Sequence, residues 1–282
     1  MKIKAYTPVL VGLAAVAGAV LRGLNLIHGY EVGTRLPAHG DIPGIALIVL
    51  SIVSAVLLIG AAAFFHENSG IVFEDAFWGA GTLFKMVSVI AGLAMLVCGA
   101  AGLYLAVTDS EVPITGNITA LPLWLLAMLT GGCFIGAASA LSRRAITATT
   151  ATLLIVPMFW ACFDLITTFK DNGASPFIGL YGFELLAAIA LTYAFYALAG
   201  FLYSTSSPSR FVISAGLAII WCIAVAAGAG ISIAAGAQAI VFPPQTLLRY
   251  ACFFASGLWL FALMVLLARG TTRRIPQATM EY

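Results

Sequence analysis

The chain has 282 residues, of which 62% are hydrophobic and only 9% charged, with a mean hydropathy of +1.07 and a formal net charge of +2. A soluble domain carries about 25% charged residues, so this composition excludes one; a charge so small and scattered also excludes a nucleic-acid-binding surface. The apolar residues fall in runs of about 20 or more, long enough to cross a bilayer as helix, rather than in the roughly ten-residue alternating segments of a barrel. The expectation is an all-α, polytopic transmembrane bundle forming one integral membrane domain over residues 1–282 of the cell membrane, with the lipid bilayer as its first partner.

Residues 1–5 carry Lys2 and Lys4, and a first helix is expected over residues 6–28, interrupted by Arg22. This start imitates a secretory signal, with small residues at Ala15, Ala17 and Ala19, but the apolar stretch runs on past them and reads as a retained helix. The loop at residues 29–41 is rich in turn formers. His28, Glu31, His39 and Asp41 cluster in and beside it, yet a flexible Gly-rich loop often gathers such groups, and no metal site is read there. A second helix is expected over residues 43–65. The following connection contains IVFEDAFW, whose aromatics beside two acids suit the membrane interface, with Trp78 at headgroup depth. The third helix spans residues 83–107.

The fourth, residues 119–141, follows a loop with Asp109 and Glu111 and an Asn117-Ile118-Thr119 sequon, and holds Gly132 and Gly136 at a spacing that permits close helix approach. Arg143 and Arg144 mark a short turn before a fifth helix at residues 145–168. The sixth, seventh and eighth are expected over residues 177–203, 211–237 and 244–268, with residues 269–282 as a short cytoplasmic tail. Pro243 and Pro244 sit where a helix start tolerates proline. The seventh is small-sided, with Gly216, Gly228, Gly230 and Gly236, which predicts a central, tightly surrounded position. Each of the five cysteines lies in a different apolar run, without CxxC or a neighbouring His, so they read as small core residues.

Eight crossings place both termini on one side. With that side cytoplasmic, it receives Lys2, Lys4, Lys85, Arg143, Arg144, Arg210, Arg269, Arg273 and Arg274, against Arg22, Arg35, Lys170 and Arg249 outside, nine to four. On this topology Arg22, Asp164, Glu184 and Arg249 all lie about 6–11 Å beneath the outer surface, at 1.5 Å of rise per residue. Two positive and two negative side chains thus share one layer. An ionised group at mid-bilayer costs about 2.5–3.5 kcal/mol and less toward the interface, so each needs a partner; for Asp164 the candidates are Arg22, Glu184 and Arg249.

Helical spacing adds polar neighbours to each: Asn25 beside Arg22, Trp160 and Thr168 around Asp164, Tyr181 and Thr192 around Glu184, and Gln245, Cys252 and Ser256 around Arg249. One reading makes the layer structural, with Asp164 paired to Arg22 or Glu184 to Arg249. The other makes Arg22, Asn25, Asp164, Tyr181, Glu184 and Arg249 line a ligand or ion site open to the outside. Tyr181 and Tyr250 also suit the headgroup belt.

No GxSxG, HExxH or GxxxxGK[ST] occurs, and His66 falls on the opposite side from His28 and His39, which disfavours a haem; no cofactor is expected. The functional expectation is a small-molecule or ion permease with its polar site near the outer leaflet. The alternative is a non-catalytic subunit or sensor packed against another membrane protein or a second copy of itself. A third reading, a lipid-modifying enzyme with Asp164 or Glu184 as acid or base, lacks a nucleophile or metal motif, so an enzyme is not the favoured class.

The stretches from Leu21-Arg22 to Gly33-Thr34 and Phe159-Trp160-Ala161-Cys162-Phe163, with Phe169 and Pro176, resemble a group of bacterial polytopic membrane proteins. In that group an arginine-bearing first helix precedes an acidic residue and a Thr-Gly pair; here Gly33-Thr34 follows Glu31. The resemblance implies a multi-helix membrane fold and no particular activity.

Overall fold

A computed structural model describes residues 2–31, 34, 36–66, 71, 73–108, 119–143, 152–173, 178–203, 205–237 and 240–272. Among them are nine helices: α1 Lys2–His28, α2 Ile42–Ala63, α3 Phe73–Ala76, α4 Thr82–Thr108, α5 Ala120–Arg143, α6 Val156–Asn172, α7 Ile178–Leu202, α8 Pro208–Ala234 and α9 Pro244–Thr272. Seven of these, all but α3 and α6, are long and apolar enough to cross a membrane. Their outward faces are aliphatic: Ile45, Ile48, Ile52, Val56 and Ile59 on α2 are exposed, as are Leu83, Met86, Ile90 and Val97 on α4. Apolar surface of that extent is stable only against lipid. The chain is a multi-pass integral membrane protein.

The fifth expected crossing is altered. The single helix read over residues 145–168 is broken before α6: Thr152 and Leu153 are helical, Leu154 and Ile155 form a turn, and α6 then runs from Val156 with Pro157 in its first turn. Proline has no N–H to donate and its ring collides with the carbonyl four residues back, which is where the break falls. At its other end α6 continues one turn past Thr168, where the Asn172 side chain donates to the Thr168 carbonyl at 2.9 Å. With 17 residues it is about 25 Å long, somewhat short of a hydrocarbon core of about 30 Å. The start of the expected helix, at residues 145–151, lies outside the described residues, as do Arg144, Asn117 and Ile118 of the sequon, and the loop from residue 109 before them.

Helix α8 is central, packing against α1, α2, α7 and α9. Its glycines allow this: a Cβ at Gly216 would come within 2.7 Å of Leu58, and one at Gly228 within 2.7 Å of the Arg22 stem. Helices α4 and α5 form the other close pair, α6 bridges α5 to α7, and α9 rests on α8, α4 and α1. The core between them is aromatic, with Phe134 stacked on Trp259 at 4.2 Å. Glycines Gly132 and Gly136, expected to permit a close helix contact, have no atom within 4 Å of where a Cβ would be and face outward.

The IVFEDAFW segment closes one end of the bundle. Phe73 and Phe77 are buried and pack with Phe201 and Phe211, which holds α3 there by its aromatic side. Gly270 lets α9 lie against the Ala76 carbonyl, which carries that helix to Thr272, four residues past its expected end. The tail from residue 273 onward lies outside the described residues.

Candidate functional site

The layer is built where the C-terminal ends of α1 and α6 meet the N-terminal ends of α7 and α9. All six candidate residues are buried there: Arg22, Asn25, Asp164, Tyr181, Glu184 and Arg249. Of the partners weighed for Asp164, namely Arg22, Glu184 and Arg249, it takes Arg249; the pairs Asp164–Arg22 and Glu184–Arg249 of the structural reading do not form. Asp164 meets Arg249, not Arg22: Nε donates to Oδ1 at 2.7 Å and Nη2 to Oδ2 at 3.1 Å, a two-pronged match of guanidinium to carboxylate. Arg249 Nη2 also donates to the Thr168 hydroxyl, which in turn donates to the Asp164 carbonyl at 2.8 Å.

Glu184 is not paired with Arg249. Its Oε1 accepts from the Tyr250 hydroxyl, and no cation nitrogen lies within 4.0 Å of it among the described residues. The reason for both corrections is rotational. Residue spacing fixes how deep a side chain sits, whereas the bundle's packing fixes which way it points.

Arg22 belongs to a separate cluster. Its Nη1 donates to Asn25 Oδ1 at 2.6 Å, its Nη2 to the Leu180 carbonyl of α7, and its guanidinium lies 5.0 Å from the centre of the Phe183 ring. Asn25 Nδ2 donates to Asp41 Oδ2 at 2.6 Å, and Asp41 Oδ1 caps α2 by accepting from Gly44 N at 3.0 Å. Tyr30 adds a bond from its hydroxyl to the Gly179 carbonyl at 2.8 Å. The chain Asp41–Asn25–Arg22–Leu180 thus ties α2, α1 and α7 together. Asp41, read in the sequence only as part of a loop cluster, is a helix cap and the anchor of this chain. Asp41→Ala is expected to cost about 1–2 kcal/mol, a helix cap plus the acceptor for Asn25; unfolding in detergent micelles measures it, and Asp41→Asn should recover part of the loss.

A cavity of about 630 Å³ opens beside the Asp164–Arg249 pair, bounded by the starts of α5, α7 and α9, the end of α6 and the segment before α9. Its mouth carries the exposed Lys170 and Asp171 with the half-buried Gln245 and Thr246. Leu123, Trp124, Tyr181 and Phe242 form walls, and Glu184, Arg249 and Tyr250 reach its floor. No family model, curated protein or solved structure matches the chain. Its chemistry must therefore be read from the cavity itself.

Two of the four layer charges, Glu184 and Arg249, face the cavity; Asp164 stands behind Arg249, and Arg22 and Asn25 do not line it. Helix α9 makes no extensive contact with α6 or α7, so the side-chain bridges Arg249–Asp164 and Tyr250–Glu184 span the gap that forms the cavity. One turn deeper, Trp160 on α6 and Phe253 on α9 meet edge to face at 6.3 Å and close it from below. Trp124, Phe242 and Tyr250 were not singled out as ligand contacts by sequence, since an aromatic ring in an apolar helix gives no sign of facing a void. Among the described residues no group of three His, Cys, Asp or Glu side chains is placed to hold a metal ion.

Proposed function

We propose that the protein is a permease that takes up a small polar molecule or ion through this cavity. The observation that carries the reading is a buried carboxylate, Glu184, on the floor of a 630 Å³ cavity whose mouth is polar and exposed. Volumes of about 300–1,000 Å³ lined by apolar walls and a few polar groups are typical of small-molecule sites, and ionisable groups within a membrane domain are costly enough that most mark a pathway or ligand. The bridges from α9 to α6 and α7 are then the inner gate. Helices α8 and α1, packed through Gly23, Gly18 and Gly228, supply the smooth surfaces along which such a gate moves.

In this reading α6 is an eighth, interrupted crossing. Lys170 near its end donates to Thr119 before the start of α5, so the two helices run antiparallel and the cavity end of α6 lies with the cavity ends of its neighbours. Both termini then share the cytoplasmic side of a bacterial cell membrane, where the positive side chains are concentrated, and the cavity opens outward.

The test is a thermal-shift screen of the purified full-length protein with amino acids, sugars, nucleosides, organic ions and inorganic salts, followed by uptake into proteoliposomes. A ligand at 100 times its Kd adds about 2.7 kcal/mol to the folded form. At least one class is expected to stabilise the wild type, to lose that effect in Glu184→Gln, and to accumulate in the vesicles. Stabilisation without uptake would replace the permease by a sensor; no stabilisation by any class would remove the site.

A further inference from the structure

Resting on the reading of the cavity as a recognition site, we propose that its ligand is a zwitterion with one ammonium and one carboxylate on an apolar body, the chemistry of an apolar amino acid. Two groups on the cavity floor have unspent hydrogen-bonding capacity. Arg249 commits Nε and Nη2 to Asp164 and Thr168, which leaves Nη1 without a protein acceptor. Glu184 spends Oε1 on Tyr250 and leaves Oε2 without a donor. The floor therefore offers a guest the N–H donors of Arg249 Nη1 and the acceptor Glu184 Oε2.

The donors call for a carboxylate and the acceptor for an ammonium. Glu184 and Arg249 do not touch within 4.0 Å, so a guest carrying both groups fits between them without breaking an existing ion pair. Leu123, Ile240 and Phe242 supply the apolar wall against which the body of the guest rests.

The experiment uses two carbon skeletons, each with the zwitterion and its two single-charge relatives: leucine with 4-methylpentanoate and 3-methylbutylamine, and phenylalanine with 3-phenylpropanoate and 2-phenylethylamine. Binding to the full-length protein in nanodiscs is read by calorimetry and by tryptophan fluorescence. In at least one skeleton the zwitterion is expected to bind tenfold or more tightly than either relative. Glu184→Gln should remove the advantage over the acid. An acid or amine that binds as well as its parent overturns the proposal. So does binding only of a different class from the wider screen, in which case the cavity stands as a site and its assigned chemistry falls. Silence from every class overturns both.

Discussion

Asp164→Ala is expected to lower the stability of the folded bundle by about 3–5 kcal/mol, the cost of leaving one member of a buried ion pair without its partner. Asp164 is fully buried behind Arg249, so solvent on the cavity side of the guanidinium does not reach the place the carboxylate leaves. Two bonds vanish at once, at 2.7 and 3.1 Å, and the Thr168 hydroxyl alone is left to receive a full positive charge. Asp164→Asn should cost less, because the amide oxygen still accepts from Nε while the charge remains uncompensated. The pair Asp164→Leu with Arg249→Met should be more stable than Asp164→Ala alone, since removing both charges leaves nothing stranded. Unfolding titrations of the four proteins in one detergent measure this order. A loss below about 1 kcal/mol for Asp164→Ala would mean that Arg249 finds another partner or reaches water, and the gate assigned to this pair would be untenable.

That pair also marks the limit of what the amino-acid sequence discloses. Composition alone gives a helical membrane bundle, because so few charges are spread over so much apolar sequence. The same scarcity makes Arg22, Asp164, Glu184 and Arg249 conspicuous, and counting residues from helix ends sets them at one height. Height is a property of each helix by itself. Azimuth depends on how every helix is turned against its neighbours, so Asp164 meets Arg249 on α9 while Arg22 turns to the Leu180 carbonyl and the Phe183 ring.

The same blindness to rotation hides Trp124 as a cavity wall. The break before α6 was more accessible: Pro157 stands inside the expected helix and forbids the bond that would have continued it. An apolar run of that length nevertheless reads as one span, since hydropathy does not register a missing hydrogen bond. Glu184 poses the opposite case. Its depth was readable, but that Tyr250 rather than Arg249 hydrogen-bonds it is visible only once α9 is placed, and that leaves a carboxylate on the cavity floor outside the ion pair.

Adjacent glycines on α5 give the sharpest test of the packing that stations Trp124. Gly131→Ala is expected to destabilise the bundle by about 1–3 kcal/mol, whereas Gly132→Ala should be neutral or stabilising by up to about 1 kcal/mol. A Cβ at Gly131 would stand 2.5 Å from the Gly92 carbonyl oxygen and one at Gly92 would stand 2.6 Å from the Gly131 carbonyl oxygen, so the α4 and α5 backbones touch here and neither can yield like a side chain. At Gly132 nothing lies within 4 Å, and only the gain in helix propensity remains. Two turns toward the cavity, Trp124 is packed onto Gly102 of α4 so closely that a Cβ there would fall 2.2 Å from its ring. Forcing the α4–α5 crossing apart at Gly131 therefore shifts the indole ring at the cavity wall, and Gly131→Ala should weaken binding of a ligand in the cavity while Gly132→Ala leaves it unchanged. Equal effects of the two substitutions on stability would show that α5 is turned differently in its bundle, with Gly132 rather than Gly131 against α4.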